Sequence, residues 1–172
     1  MRISLKEAGT LLQEAQNIVI TAHVNPDGDA IGSSLGVMHY LHDLGKRVRV
    51  IIDDDILSNF SFLNACDIIE KPRIAENGEK ESIDLLLVLD TNIERVGKVA
   101  DAFLPAQILN IDHHVTNDLS CPAVYLDPDS AATAEIIYQL LREMNAEITK
   151  DIAMAVYTGL ATDTGFFRFP NT

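Results

Sequence analysis

The sequence has few cysteines, which build disulfide frameworks and thiolate metal sites, and no long apolar run of the kind that forms a membrane span. It has two cysteines and no tryptophan in 172 residues. Cys66 and Cys121 stand alone, without the paired spacing of a zinc knuckle or a redox couple. No apolar run approaches the roughly 18 residues that a membrane span requires, and Lys6, Glu7 and Glu14 interrupt any secretory signal. We therefore expect a soluble protein of the reducing cytoplasm.

Basic residues are also scarce. Thirteen lysine and arginine residues stand against 26 aspartate and glutamate residues, which gives a formal net charge of −13. This sign excludes a protein that grips long nucleic acid through its general surface, because such binding needs lysine and arginine to neutralise the phosphates. A phosphate-bearing partner would have to bind at one local, positively charged site. Bound divalent metal is the obvious source of the positive charge.

What the sequence does contain is a regular alternation of helical and strand patterns. The length fits one domain. Hydrophobic periodicity predicts strands at 18–21, 48–52, 85–89, 108–111 and 123–126, and helices at 4–16, after the turn at 25–28, at 131–144 and at 152–160. Ser4 with Glu7 predicts a capping box, and Ser130 and Thr149 are predicted caps of the last two helices. The sequence therefore predicts an α/β fold with an open, mainly parallel sheet and helices on both faces.

Side chains of the metal-ligating kind follow three predicted strands and the last helix. They are His23, Asp27 and Asp29, then Asp90, then Asp112, His113 and His114, and finally Asp163. In open parallel sheets, ligands bind beyond the carboxyl ends of the strands. Four carboxylates gathered there would repel one another and raise their pKa values unless cations neutralised them. The sequence therefore predicts a metal centre at this edge.

Most of these turns also have an ordinary structural interpretation. In this interpretation Asp29 caps the second helix and Asp27 is a solvated turn residue, and it accounts for the two residues equally well. Asp90 is consistent with a turn former, and the turn at Asp163 with a helix stop. Two adjacent imidazoles after a buried strand are harder to explain by packing. The acidic run at 53–55 is interpreted as a solvated loop, because blocks of like charge are usually exposed.

Taken together, the segments 23–33, 90–97, 112–114 and 162–167 resemble the four motifs of the DHH phosphoesterase superfamily. Their spacing and flanks are most similar to its RecJ-like branch of bifunctional oligoribonucleases and 3′-phosphoadenosine 5′-phosphate phosphatases. The resemblance spans nearly the whole chain. It implies a metal-dependent phosphoesterase that hydrolyses short oligonucleotides or phosphorylated nucleotides by a two-metal mechanism.

The resemblance also implies roles for individual residues. It assigns His23, Asp27 and Asp90 to one metal and Asp29, Asp90, His113 and Asp163 to the other, so that Asp90 bridges the pair. His114 would face the substrate phosphate as a donor or orienting group. Asp112 would act from behind, fixing an imidazole or the loop. Oxygen ligands with added imidazole suit two Mn²⁺ ions and, less well, Mg²⁺.

Members of the superfamily continue into a second, smaller domain that binds substrate and closes over the metals. Nothing in this sequence resembles that domain, so residues 1–172 are expected to be a DHH domain truncated at its C-terminus. Two alternatives stay open: a catalytically weak domain that binds metal or nucleotide, and an inorganic pyrophosphatase or exopolyphosphatase of the same superfamily. The expected partners are small phosphorylated substrates, neither long nucleic acid nor membrane, and the resemblance allows a homodimer.

Overall fold

A computed structural model describes residues 1–172 as a five-stranded parallel sheet with helices. The strands are β1 (Asn17–Thr21), β2 (Arg47–Val50), β3 (Glu81–Leu89), β4 (Phe103–Asp112) and β5 (Ala123–Leu126), in the order β2-β1-β3-β4-β5. The helices are α1 (Leu5–Glu14), α2 (Gly28–Asp43), α3 (Val99–Ala102), α4 (Thr133–Glu143) and α5 (Lys150–Asp163). The predicted α/β fold is confirmed, although β3 and β4 begin several residues earlier than predicted. Every helix is too short or too polar to cross a membrane.

The two faces of the sheet are covered unequally. Alternate side chains of the central strands, such as Ile20 and Leu87, pack with α1, α2, α4 and α5 in a core of 32 buried residues. The intervening side chains, such as Val19 and Leu86, pack with α3 and the turn before it in a core of nine residues. Helices therefore lie on both faces, as predicted, but one face carries four long helices and the other a single turn.

The strand order brings the predicted site residues to one place. All strand pairs are parallel, so the carboxyl ends of β1, β3 and β4 lie side by side at one edge. The chain passes from β1 to β2 in one direction and then to β3 on the other side of β1. Such a reversal of strand order opens a crevice at the carboxyl edge, where ligands of open α/β sheets bind.

Local capping decides where three helices begin. Ser4 and Glu7 form the predicted capping box of α1, and Thr149 is the predicted N-cap of α5. The interpretation of Asp29 as the cap of α2 is wrong. Asp27 holds that position, and its Oδ1 accepts two backbone N–H groups at 3.0 Å each. Asp29 is thereby left free for a tertiary contact.

The start of α4 is capped by a residue of another helix. Ser130 as its cap is a wrong prediction, because α4 begins at Thr133 and its N-cap residue is Ala132, which has no side chain that can accept a hydrogen bond. The backbone N–H groups of Thr133 and Ala134 donate instead to the carboxylate of Asp29, at 2.6 and 2.8 Å. A negative charge is favourable at a helix N-terminus. This cap lies 104 residues away in sequence, so no local pattern reveals it.

Glycine allows α5 to approach α2 and α4 closely. A Cβ at Gly159 would lie 2.6 Å from the Cβ of Ala134 and 2.9 Å from Oδ1 of Asp29, and a Cβ at Gly28 would overlap the side chain of Thr162. Both distances are shorter than packed atoms tolerate, so a side chain at either position would force the helices apart. The close approach holds the C-terminal end of α5 beside the first turns of α2 and α4.

Candidate metal centre

His23 directs one ring nitrogen at two carboxylates. Its Nδ1 lies 2.8 Å from the carbonyl oxygen of Val24, so in the neutral ring Nδ1 carries the proton and Nε2 presents a lone pair. That Nε2 is 3.6 Å from Oδ2 of Asp90 and 3.9 Å from Oδ1 of Asp27. The neighbouring carboxylate of Asp90 raises the pKa of His23. This position therefore favours a positive charge.

His113 occupies the centre of a second acidic cluster. Its Nδ1 lies 3.2 Å from the carbonyl oxygen of Ser130. Its Nε2 is 3.9 Å from Asp29, 3.8 Å from Asp90 and 3.7 Å from Asp163. This Nε2 is buried and has no hydrogen-bond partner, whereas buried polar atoms are normally paired. A divalent cation between the ring and the carboxylates would satisfy all four groups, and a backbone carbonyl on the other nitrogen is the usual support of a metal-ligating histidine.

Asp90 connects the two clusters. Its Oδ2 faces His23 and its Oδ1 faces His113, and the residue is 1% exposed. Its backbone has φ 63°, in the left-handed region that non-glycine residues seldom adopt. Such a conformation typically costs on the order of 1 kcal/mol and often marks a functional position. A carboxylate that offers one oxygen to each side is suited to bridging two cations.

Burial makes this cluster electrostatically unfavourable without a cation. Burial raises the pKa of Asp29 well above its usual value, and repulsion from Asp90 adds to the effect although two backbone N–H groups oppose it. Burial also raises the pKa of Asp163, partly offset by His113. A raised carboxyl pKa means that the negative form is destabilised in the folded state. The donor set therefore fits a divalent cation, which would neutralise these charges.

Asp112 and His114 lie beside these ligands as a satisfied pair. Oδ1 of Asp112 accepts from Nδ1 of His114 at 2.8 Å, and Oδ2 accepts from the amide of Asn117 at 2.7 Å. Burial alone would raise the pKa of Asp112, but these hydrogen bonds outweigh it and lower the pKa. The same carboxylate raises the pKa of His114, whose side chain is 43% exposed. Asp112 thus orients a ring that solvent and ligands can reach.

The structure brings all the predicted site residues to the carboxyl edge of the sheet. Three groups have ligand atoms within 4.8 Å of one another: His23, Asp27 and Asp90; Asp29, His113 and Asp163; and Asp90, His113 and His114. Asp112 lies outside these groups, behind His114. The first group is identical to one predicted ligand set, and the second is the other predicted set without Asp90. Their roles as ligands stay predictions.

Sequence reasoning missed the neutral residues that hold the charged ones. Thr133 donates its hydroxyl to Oδ1 of Asp90 at 2.9 Å. The side-chain amide of Asn117 donates to the side-chain oxygen of Asn110 at 2.8 Å and also to Asp112, so it links the two residues. A threonine at a helix start and an asparagine in a turn have many local uses. No signal in the sequence distinguished these two from the rest.

The fold and the site define an α/β domain with a carboxylate and imidazole centre of the kind that divalent metals occupy. Within that class, residues 17–160 match the DHH family, N-terminal domain, and the chain belongs to this family. The resemblance predicted from the four motifs is thereby confirmed. The match includes every predicted site residue except Asp163, which lies three residues beyond it.

Curated relatives and solved structures agree with this assignment. The chain is 37% identical over 155 residues to the bifunctional oligoribonuclease and PAP phosphatase NrnA of Thermus thermophilus, covering 90% of this chain and 45% of the relative. It is 30% identical over 158 residues to a probable manganese-dependent inorganic pyrophosphatase of Streptococcus thermophilus, covering 90% and 50%. The crystal structure of an exopolyphosphatase-related protein from Bacteroides fragilis aligns with a TM-score of 0.87 at 30% identity, covering 98% and 52%. The chain thus spans about half the length of these proteins.

Proposed function

We propose that this chain is a divalent-metal-dependent phosphoesterase domain that hydrolyses short oligonucleotides and 3′-phosphoadenosine 5′-phosphate with two Mn²⁺ ions, for which Mg²⁺ can substitute. The observation that carries the proposal is the buried Nε2 of His113, which has no hydrogen-bond partner and faces three carboxylates. The relative named as an oligoribonuclease and PAP phosphatase supports the substrate class.

The ligands divide into two sets that share Asp90. One ion would be held by His23, Asp27 and Asp90, and the other by Asp29, Asp90, His113 and Asp163. Two ions are supported by Asp90, whose Oδ2 lies 3.6 Å from Nε2 of His23 and whose Oδ1 lies 3.8 Å from Nε2 of His113. Carboxylates with imidazole suit Mn²⁺, while harder Mg²⁺ prefers oxygen alone. The relative named as manganese-dependent supports the same choice.

When bound, such ions supply an activated water and neutralise negative charge on the phosphoryl group. His114 would orient the substrate phosphate through the ring nitrogen that Asp112 does not hold. Asp112 would keep that ring in place through the 2.8 Å hydrogen bond. The net charge of −13 fits small substrates whose few phosphates are met at the metals, because a long phosphate backbone would be repelled elsewhere on the surface.

A second candidate function is hydrolysis of inorganic pyrophosphate or polyphosphate. It is favoured by the pyrophosphatase relative at 30% identity and by the exopolyphosphatase-related structure. The same ligands and the same His114 would serve either substrate, so the metal centre alone does not separate the two. A domain that binds metal or nucleotide with weak turnover is the third candidate, because the clustered ligand atoms would hold an ion whether or not turnover follows.

The test is product release from three substrates in Mn²⁺: 3′-phosphoadenosine 5′-phosphate, a ribodinucleotide and pyrophosphate. We expect the wild-type chain to prefer the two nucleotides and Asp90→Ala to be inactive. Asp54→Asn, in the acidic run outside the site, is the matched control and should keep wild-type activity. Equal activity of Asp90→Ala and wild type would overturn the assignment of Asp90. Preference for pyrophosphate would favour the second candidate, and Mn²⁺ binding without turnover the third.

A further inference from the structure

We infer that Thr133 is a positioning residue that fixes the orientation of the Asp90 carboxylate. It would thereby set how tightly the second metal ion binds, meaning the ion proposed to lie beside His113. The inference rests on the metal centre proposed above. Thr133 is the first residue of α4 and is fully buried. Its hydroxyl donates to Oδ1 of Asp90 at 2.9 Å, and its backbone N–H donates to Oδ2 of Asp29 at 2.6 Å. One residue thus contacts a carboxylate of each proposed ligand set.

The hydroxyl acts on the atom that faces the second cluster. Oδ1 of Asp90 is 3.8 Å from Nε2 of His113, while Oδ2 is 3.6 Å from Nε2 of His23. No other hydroxyl or amide group of the protein donates to this carboxylate. Without the Thr133 hydroxyl, no hydrogen-bond donor would hold the carboxylate, and its rotation would be limited by buried packing and by imidazole nitrogens of His23, His113 and His114 at 3.6, 3.8 and 3.7 Å. The hydroxyl therefore holds one oxygen toward His23 and the other toward His113 before any ion binds.

The start of α4 makes this arrangement rigid. The N–H groups of Thr133 and Ala134 both donate to Asp29, so the backbone that carries the hydroxyl is itself tied to a proposed ligand. These backbone bonds survive any substitution at position 133 that keeps the helix. The side-chain role is consequently separable from the structural one. Thr133→Val keeps the β-branched shape and removes the hydroxyl, whereas Thr133→Ser keeps the hydroxyl.

The effect should appear in metal binding itself. Residues that orient metal ligands typically contribute about 10- to 100-fold to metal affinity. In Thr133→Val we expect one Mn²⁺ ion to bind as in wild type and the second to bind about 10- to 100-fold more weakly. Because a shared carboxylate couples the electron spins of two Mn²⁺ ions, the spectrum should change from that of a coupled pair to that of isolated ions. Thr133→Ser should restore both wild-type properties.

The experiment is a Mn²⁺ titration of the full 172-residue chain, followed by calorimetry and by electron paramagnetic resonance, for wild type, Thr133→Val and Thr133→Ser. Thermal melting of each metal-free protein checks folding, and Thr133→Ala replaces the valine variant if that variant does not fold. Wild-type affinities and a coupled spectrum in the variant without the hydroxyl would overturn the inference and leave the proposed function standing. Thr133→Ser behaving like Thr133→Val would also overturn it. Failure of the wild-type chain to bind a pair of ions would overturn both.

Discussion

Two acidic stretches follow neighbouring parallel strands of this sheet, and their electrostatic characters are opposite. In the run at 53–55 after β2, the carboxylate of Asp54 accepts backbone N–H groups of Asn25 and Asp55, which lowers its pKa. In the site beyond β1, the carboxylate of Asp29 also accepts two backbone N–H groups, yet its pKa is raised. The difference is burial: Asp29 is 1% exposed, and Asp90 repels it at close range.

The two stretches also differ in the backbone N–H groups and lysine side chains that contact their other carboxylates. Asp53 accepts from the backbone of Lys98 at 2.8 Å, and Asp55 pairs with Lys71 at 2.7 Å. The prediction of a loop at 53–55 is confirmed, although Asp53 and Asp54 are only partly exposed and accept hydrogen bonds from the backbone of neighbouring loops. No lysine or arginine pairs with the carboxylates of the site. Acidic residues therefore indicate a metal centre where their carboxylates are buried and no lysine or arginine side chain pairs with them.

The strongest way to break the comparison is to neutralise one charge of the run at 53–55 and one charge of the site. Asp90→Asn should reduce activity by at least about 10³-fold while raising the stability of the metal-free protein by about 1 kcal/mol. The amide can accept from Thr133 and donate to Nε2 of His23, and it no longer repels Asp29. Activity assays and urea denaturation in chelator test this. Asp54→Asn should leave activity unchanged and lower the stability. A change in stability of the same sign in both variants would contradict the comparison.

Removal of metal should have the next largest effect. An ion held at a concentration 100 times its dissociation constant stabilises the folded state by about 2.7 kcal/mol, which corresponds to roughly 5–10 °C in melting temperature for a chain of this size. We expect EDTA to lower the melting temperature of the wild-type protein by such an amount and Mn²⁺ to restore it. Asp90→Asn provides the control, since it should not respond to either. A wild-type melting curve unchanged by exhaustive chelation would remove the basis of the metal centre.

A packing change can sharpen the role of burial. Gly159→Ala places a methyl group 2.6 Å from Ala134 and 2.9 Å from Oδ1 of Asp29, so it should cost about 1–3 kcal/mol of stability and weaken Mn²⁺ binding. Gly36→Ala, in the same helix pair, meets first the side chain of Val156 at 3.0 Å and should leave Mn²⁺ affinity unchanged. Denaturation and Mn²⁺ titration of both variants measure this. Equal Mn²⁺ affinities in the two variants would show that close packing does not position Asp29.

The smallest expected effect concerns the satisfied carboxylate inside the site. Asn117→Ala removes the amide that donates to Asp112 and Asn110, and we expect a loss of about 1 kcal/mol in stability and about tenfold in activity. The exposed Asn64 also donates to an aspartate, Asp151, at 2.8 Å. Asn64→Ala is thus the matched control and should change neither quantity, as measured by denaturation and steady-state kinetics. An Asn117→Ala protein with wild-type activity would show that Asp112 orients His114 without help.

Much of the fold and most of the site residues could be predicted because both follow from local chemistry. Apolar runs such as 85–89 predict buried strands, and the polar residue after each run must lie at the shared edge of a parallel sheet. His23, Asp90 and His113 were found in this way. Thr133 and Asn117 were not, since nothing distinguishes a neutral polar residue that supports a ligand from one in an ordinary turn. The role of Asp29 as the cap of α4 was missed for a related reason.

The sequence by itself determined the α/β class, the parallel sheet and the kind of chemistry at its edge, because these depend on hydrophobic period and on residue type at strand ends. Only the tertiary structure decided which helix Asp29 caps, how closely Gly159 lets α5 approach and which oxygen of Asp90 faces which histidine. Those features join residues far apart in the chain, such as Asp29 and Thr133, through distances and angles. Such distances and angles exist only in the folded chain, so a sequence pattern does not reveal them.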